Sequence, residues 1–253
     1  MKKLINKVLR TTGYELRRVD RGYQFNMLLN ELRNQNDSSL ASFFRFALPH
    51  VQRSYAQLFQ DLFVLFTLGE KRDGYFVEFG AADGLKDSNS AMLEREYGWH
   101  GILAEPSPHW SEALGRNRTC ELDLRCVWNS TGEKLRFSQT GDRLLSTISS
   151  FRKSDRHDRS DSSNHEVETI SLHDLLRQHK APREIDYLSV DTEGSELQIL
   201  RALDFRRWRF KVITVEHNFV QEKRTAICAL LNDRGYRRVF SEFSGFDDWY
   251  VVQ

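Results

Sequence analysis

"VEFGAADGLKDSNS", residues 77–90, decides the fold. An apolar run closes on an acid, Glu78. Gly80 and Gly84 follow, and then a Ser/Asp/Asn-rich stretch of the kind that starts a helix. The loop reads E-x-G-x-x-x-G. Glycine permits sharp backbone geometry and close approach of a ligand. A dinucleotide fingerprint would read G-x-G-x-x-G. Here position 82 is alanine, and Glu78 and Asp83 stand where a pyrophosphate tolerates no acid.

Outward from this turn, short strands and helices alternate. "YFVEFG" (75–80) is a strand and "SNSAMLEREYG" (88–98) a helix closed by Gly98. "HGILAEP" (100–106) is the second strand and "HWSEALGRN" (109–117) a short helix. "TCELDLRCVWN" (119–129) reads as the third strand, and "EKLRFSQ" (133–139) and "EVETI" (166–170) as further extended pieces. Between these two lies 140–165, polar and without period: a long loop that is either a lid or solvated. "SLHDLLRQH" (171–179) is a helix with Ser171 as its cap. "EIDYLSVD" (184–191) is the strongest strand, followed by a helix over 195–203, a strand over 210–218 and a helix over 223–235. "YRRVFSEF" (236–243) and "DDWYVVQ" (247–253) are joined by a turn at Ser244–Gly245 and read as a hairpin. The alternation predicts a mostly parallel sheet with helices on both faces.

Ligands of such sheets bind beyond the carboxyl ends of the strands. The first strand delivers Glu78 and Gly80, the second Glu105–Pro106, the third the neighbourhood of Cys126–Asn129. The fourth delivers Asp191, with Thr192, Glu193 and Gly194 behind it, and the fifth Glu216–His217–Asn218. An acid-lined glycine loop suits a ligand that is cationic and rich in hydroxyls and amines. S-adenosylmethionine has a sulfonium, an α-amino group and a ribose diol. Glu105, about 20 residues past the glycine turn, is placed to accept hydrogen bonds from that diol. Read singly, Glu78 and Glu105 are loop carboxylates; the pair at this spacing makes a site.

The chain has 253 residues and a formal net charge of +1, so no global field points to nucleic acid. Cys120, Cys126 and Cys228 lack any ligand spacing and read as reduced core residues. No apolar run approaches the roughly 18 residues of a membrane span, and the N-terminus lacks the apolar centre of a signal peptide. The expected location is cytoplasmic. Residues 1–21 are basic, with Leu4, Ile5, Val8 and Leu9 at helical spacing. They read either as a helix on an anionic membrane surface or partner, at the inner face of the membrane, or as a solvated N-terminal helix. Residues 24–69 have a helical pattern that ends at Gly69. The domain reading is a helical extension over 1–70 and an α/β domain over 71–253.

The chain resembles the FkbM-type S-adenosylmethionine-dependent methyltransferases. The resemblance is carried by "FVEFGAADGLKDSNS", "GWHGILAEPSP", "ETISLHDLLRQH", "IDYLSVDTEGSELQIL", "FKVITVEHN" and "DDWYVV", in that order over 75–253. It implies a class I methyltransferase fold, Rossmann-like, with a seven-stranded mostly parallel sheet in the order 3-2-1-4-5-7-6 and strand 7 antiparallel. It implies methylation of a hydroxyl on a sugar or glycan: a nucleotide sugar, polysaccharide or glycolipid. The donor site it implies spans Glu78, Gly80, Ala81, Asp83, Gly84, Asn89, Ser90, Glu105, Pro106, Val127 and Asp191. Glu78 is expected at the methionine end, with Asn89 or Ser90 reaching the ligand carboxylate.

A sugar hydroxyl is a weak acid, so transfer to it needs a base or a metal. The catalytic candidates are Asp191, Glu193, Glu216 and His217. His217 has the side chain that titrates near neutrality. Asp191, Glu216 and His217 are alternatively a site for Mg²⁺ or a similar ion. Glu193 has a second reading, as the cap of the helix that begins near Ser195. Two rival functions share this fold logic. A nicotinamide oxidoreductase is disfavoured by the acids of the first turn. An inactive methyltransferase fold serving as a binding module in a glycan assembly complex is the alternative. Oligomeric state is left open.

Overall fold

The structure, a computed structural model, describes Asn26 and residues 39–140, 147–148 and 162–253. The basic segment 1–21, the first half of the helical extension and most of the polar stretch 140–165 lie outside the described residues. In chain order the elements are α1 (Ser39–Ala47), α2 (Gln60–Thr67), β1 (Tyr75–Phe79), α3 (Ala91–Tyr97), β2 (His100–Ala104), α4 (Ser111–Asn117), β3 (Glu121–Asp123), β4 (Cys126–Trp128), β5 (Lys134–Thr140), β6 (Thr147–Ile148), β7 (Ser162–Ser171), α5 (Leu172–Gln178), β8 (Glu184–Val190), α6 (Glu196–Ala202), β9 (Arg209–Glu216), α7 (Gln221–Asp233), β10 (Tyr236–Val239) and β11 (Asp247–Val252).

Seven of these strands form one sheet, ordered β3-β2-β1-β8-β9-β11-β10. Numbered among themselves they run 3-2-1-4-5-7-6, and the last, β11, is antiparallel to both β9 and β10. This is the class I methyltransferase topology that the resemblance implied. The remaining pairs in the sheet are parallel. The strands between β2 and β9 have apolar residues on both faces, as a sheet covered on both sides requires.

Alternation along each strand divides the core in two. Val77, Phe79, Leu188, Val190, Ile213 and Val215 face α5, α6 and α7. Phe76, Leu103, Tyr187, Val212 and Trp249 face α1, α2, α3 and α4. The second face is the more aromatic. Phe63 of α2 stacks on Trp249 at 4.6 Å, and Phe43 of α1 meets the same indole edge-on at 5.9 Å. Residues 40–65 thus share a core with the sheet. Trp249 is fully buried there.

Local signals placed the helices well. Ser171 accepts the backbone N–H of Asp174 at 3.1 Å, capping α5 with an acid in its first turn. Gly98 stops α3 in the left-handed conformation, φ 71°.

The third strand departs from expectation. The run 119–129 is not one strand: it breaks after Asp123, and β4 leaves to join a second sheet, ordered β4-β7-β5-β6. The break is fixed by Asp123, which accepts the backbone N–H of Arg125 at 3.0 Å and pairs with its guanidinium at 2.6 Å. A side chain two residues back thus replaces the ladder. The reading of 140–165 as loop throughout is also corrected at its ends. Ser138↔Asn164 and Thr140↔Ser162 are ladder pairs of β5 and β7. These polar residues pair through their backbones and so lack the apolar alternation that marks a strand in sequence. No described helix is long and apolar enough to cross a membrane.

Candidate active site

The site lies at the carboxyl edge of the sheet, on the aromatic face. Residues of one parity bring their side chains there: Glu78 from β1, Ser189 and then Asp191 from β8, Thr214 and Glu216 from β9, and Asp247 from β11. Asp247 stands directly opposite Glu216 in the β11–β9 ladder, which puts their Cβ atoms about 5 Å apart on one face. A row of carboxylates therefore runs along the edge, and Glu78, Glu216 and Asp247 are all buried.

The glycine loop is built from the inside. Gly80 has φ +75°, and its N–H donates to the Ala104 carbonyl at 3.1 Å. A Cβ on Gly80 would lie 1.9 Å from the carbonyl oxygen of Asp191, so no side chain fits. Ala82 is itself left-handed, φ 48°, and is held by Glu105, which accepts its N–H at 3.0 Å and that of Ser107 at 2.8 Å. Asp83 makes the turn: its Oδ1 accepts from Leu85 N and Lys86 N at 2.9 and 2.8 Å. Gly84, φ +80°, backs onto Arg118 and Leu114, which a Cβ would strike at 2.7 and 2.8 Å.

Glu78 is turned into the protein. It accepts from Asn89 N at 2.8 Å, from Ser88 Oγ at 3.2 Å and from the Ser90 hydroxyl. Ser90 Oγ also accepts from Arg118 at 2.9 Å, so this hydroxyl is committed within the protein. Asn89 donates to Ser189 Oγ at 2.9 Å, while its buried Oδ1 has no partner. Ala81 is buried in the aromatic cluster and Pro106 is half-buried beside Glu105. Val127, in β4, is buried in the opposite core with Ile170 and Leu172.

Burial pushes the Glu105 carboxyl up to about 7, against the pull of its two backbone N–H bonds, and the charge of Asp191 adds to the rise. Asp191 is raised to about 6 by burial, moderated by a side-chain hydrogen bond with Glu216. Glu216 is driven well above the usual carboxylate range by burial and by the charges of Asp191 and Glu193. The two carboxyls titrate as a pair, the charge of Asp191 raising the proton affinity of Glu216. Although burial disfavours the charged form, Glu196 and Glu216 keep the Lys223 ammonium protonated. Lys223 donates to Glu196 at 3.0 Å.

Two expectations about the catalytic set change. His217 is not beside Asp191 and Glu216. Strand alternation turns its ring to the opposite face, where Nδ1 accepts the Phe219 N–H at 3.1 Å and Nε2 lies 3.8 Å from Asp248. Burial drops its pKa to about 4. Its place is taken by Glu193, whose left-handed backbone, φ 56°, delivers the carboxylate to the edge. Asp191, Glu193 and Glu216 each offer an oxygen within 4.8 Å of the others. Asn218 ties two of them, donating to Glu193 at 3.1 Å and to Glu216 at 2.8 Å. Glu193 is not the cap of α6: the N-cap residue is Ser195, without a side-chain cap bond, and Glu196 braces the turn ahead of the helix, accepting from Gly194 N at 2.9 Å and Thr192 N at 3.2 Å.

Sequence reasoning missed Asp247 as a member of this edge and Arg118 beneath it, while Asn218 was placed at the edge but without its bonds to the acids. Their signals were present in part. Asp247 opens the terminal strand of a hairpin, and Asn218 follows Glu216 at the interval that returns to the same face.

The donor set fits S-adenosylmethionine better than a nucleotide phosphate. Each Glu105 oxygen accepts one N–H and retains a lone pair, which suits a diol. The unpartnered Asn89 Oδ1 is an acceptor in an acid-rich loop, where a phosphate would be repelled.

The model of the methyltransferase FkbM domain matches residues 78–238. No curated protein matches the chain. Among solved structures, the methyltransferase FkbM from Methylobacillus flagellatus KT is similar at 11% identity and TM-score 0.45. That match covers 84% of this chain and 60% of the other, so this chain spans less than two thirds of that protein. A precorrin-6y C5,15-methyltransferase from Geobacter metallireducens GS-15 aligns at 13% identity and TM-score 0.41, over 76% of this chain and 85% of that one. A methyltransferase from Aquifex aeolicus described as SAM-dependent aligns at 11% identity and TM-score 0.37, over 77% and 89%.

Proposed function

The chain belongs to the FkbM methyltransferase family, and on that premise we propose that it methylates a hydroxyl of a sugar or glycan, with Asp191 as the base and S-adenosylmethionine as donor. The observation that carries the reading is the half-buried Asp191 beside the buried Glu216 on one sheet face, at the carboxyl edge by the glycine loop. S-adenosylmethionine, when bound, supplies the electrophilic methyl group.

Transfer to an alcohol demands in-line alignment and removal of the hydroxyl proton. Asp191 is held by the packing of its carbonyl over Gly80, and its carboxylate lies within 4.8 Å of the Glu216 oxygen. With its proton affinity raised to about 6, it is a stronger base than a solvated aspartate and is still ionised near neutrality. Glu216, whose carboxyl is raised well above the usual range, is the protonated partner beside the base. Glu105 accepts from the ribose hydroxyls, and the Gly80–Gly84 backbone lies against the rest of the donor.

A ring-bearing acceptor is supported by Phe219. It is 49% exposed, left-handed at φ 59°, and follows Glu216 in the same loop. A strained, exposed aromatic at a site edge calls for a use, and the apolar C–H face of a sugar packs well on a phenyl ring.

Asp191, Glu193 and Glu216 would also hold a divalent cation, which would lower the pKa of a bound hydroxyl. Base catalysis is favoured because Asn218 already donates to Glu193 and Glu216. For residues 1–21, the run Lys2, Lys3, Lys7 and Arg10 with its apolar stripe supports contact with an anionic surface on the cytoplasmic side.

The test is methyl transfer from methyl-labelled S-adenosylmethionine to a panel of nucleotide sugars and oligosaccharides. Label should enter a sugar hydroxyl with the wild-type protein and be lost with Asp191→Asn. Label on nitrogen or carbon, or undiminished transfer by the variant, would overturn the assignment.

A further inference from the structure

We propose that Arg118 is a positioning residue for the methyl donor. It is the clamp that holds the loop between β1 and α3 in its binding form. This rests on the donor site described above.

The 80–90 loop has no regular secondary structure, yet it must present its backbone at fixed positions. Arg118 lies outside it, one residue past the end of α4, and its side chain is fully buried. A guanidinium has five N–H donors in a rigid planar fork, and here it makes four hydrogen bonds and an ion pair. Nε donates to Glu94 at 2.7 Å. Nη1 donates to the Gly84 carbonyl at 3.0 Å and to Ser88 Oγ at 3.1 Å. Nη2 donates to Ser90 Oγ at 2.9 Å and pairs with Glu94 at 2.7 Å. Glu78 stands 3.9 Å away, and the guanidinium lies over the Phe76 ring at 5.4 Å. One side chain therefore grips the second glycine of the loop, both serines at its far end and the helix that follows.

The neighbouring residue adds to this. Asn117 donates to the Asp83 carbonyl at 2.8 Å. The requirement for glycine at 84 follows as well, because a Cβ there would meet the Arg118 stem. The charge matters too. Glu78 and Glu94 are buried acids, and a buried carboxylate left unpaired is costly. The acid that looked from the sequence like a wall of the donor pocket is instead half of the mechanism that shapes it.

Lysine keeps the charge but has three donors and no fork. The expected result for Arg118→Lys is S-adenosylhomocysteine binding weakened tenfold or more by calorimetry. Hydrogen exchange should rise in a peptide covering 80–90, with peptides from β8 and β9 unchanged. Should that variant not fold, Asn117→Ala is the second arm, with binding weakened about threefold and the same exchange signature. Folded variants that bind within twofold of wild type, with exchange in 80–90 unaltered, would overturn the clamp. A wild-type protein that does not bind S-adenosylhomocysteine would overturn the donor site itself, and the clamp with it.

Discussion

Gly80 lies so close to Asp191 that a Cβ on the glycine would sit 1.9 Å from the aspartate's carbonyl oxygen. The first residue of the donor loop and the proposed base are thus in backbone contact across β1 and β8. Anything that moves one moves the other.

Gly80→Ala tests this contact. The substitution forces a side chain into backbone and into a left-handed φ of 75°. Overpacking costs about 1–3 kcal/mol and the left-handed alanine about 1 more. Urea unfolding should show a loss in that range. Calorimetry should show S-adenosylhomocysteine affinity falling well beyond the stability loss, because the displaced loop carries the donor contacts. Unchanged affinity would mean that the loop tolerates the shift.

The Asp191–Glu216 pair makes an asymmetric prediction. Asp191 must be ionised to act, so transfer should fall about tenfold per pH unit below pH 6, the neighbourhood of its raised pKa. Asp191→Asn removes the base and should cost about 10²–10⁴ in kcat. Glu216 is the protonated partner, so Glu216→Gln, which keeps a donor, should cost less than tenfold. Equal losses in the two variants would refute the division of roles. Rates across pH 5–9 for both decide it.

A cation held by the three carboxylates would show differently. With Asn218 bonded to two of them, EDTA should leave the rate within twofold and Mg²⁺ should not restore Asp191→Asn. A loss of tenfold or more on chelation, reversed by Mg²⁺, would transfer the role to the metal.

Much of this was legible in the sequence. The mostly parallel sheet followed from the alternation of apolar runs and turn signals after Gly74, and its order 3-2-1-4-5-7-6 from the resemblance, with which the closing hairpin agrees. The acids of the edge were legible because they sit where strands stop. What escaped was which way side chains point. Glu216 and His217 are adjacent in "EHN", but strand alternation sends them to opposite faces, so Glu193 joins Asp191 and His217 does not. Glu78 was read as facing a ligand because its partner, Arg118, lies 40 residues on, and nothing local announces that pairing. The second sheet escaped because its β5–β7 ladder extends into polar residues with no apolar stripe.

Glu105 links the site to folding stability. Its folded pKa of about 7 exceeds the ordinary glutamate value, so the folded state holds a proton that the unfolded chain has released. The resulting stabilisation is complete below about pH 4.5 and is lost as pH rises through 7, on the order of 2–3 kcal/mol. His217 works the other way between about 4 and 6.5, since its folded pKa is depressed. The measurement is therefore the difference between wild type and Glu105→Gln. That difference should shift toward the variant by about 2 kcal/mol from pH 5 to pH 8 in urea unfolding. A difference independent of pH would show that Glu105 stays ionised when buried.

The last prediction concerns the helices ahead of the sheet. Phe63 of α2 stacks on Trp249 of the terminal strand at 4.6 Å, and both are buried. The same cluster includes Phe43, Phe44 and Phe243. Gln60, at the start of α2, donates to Asp247 at 2.9 Å, on the oxygen that also receives the Trp249 indole N–H at 3.3 Å. The helical segment therefore supports both the aromatic core and the end of the acid row. Phe63→Ala should cost about 3–5 kcal/mol, read by urea unfolding with intrinsic tryptophan fluorescence. Gln60→Ala removes a donor from a buried carboxyl and should cost about 1–3 kcal/mol. It should also change kcat more than donor affinity, because Asp247 adjoins Glu216 and not the glycine loop. If Phe63→Ala were nearly neutral, α2 would be an appendage; a cost in the expected range makes it part of the enzyme's core.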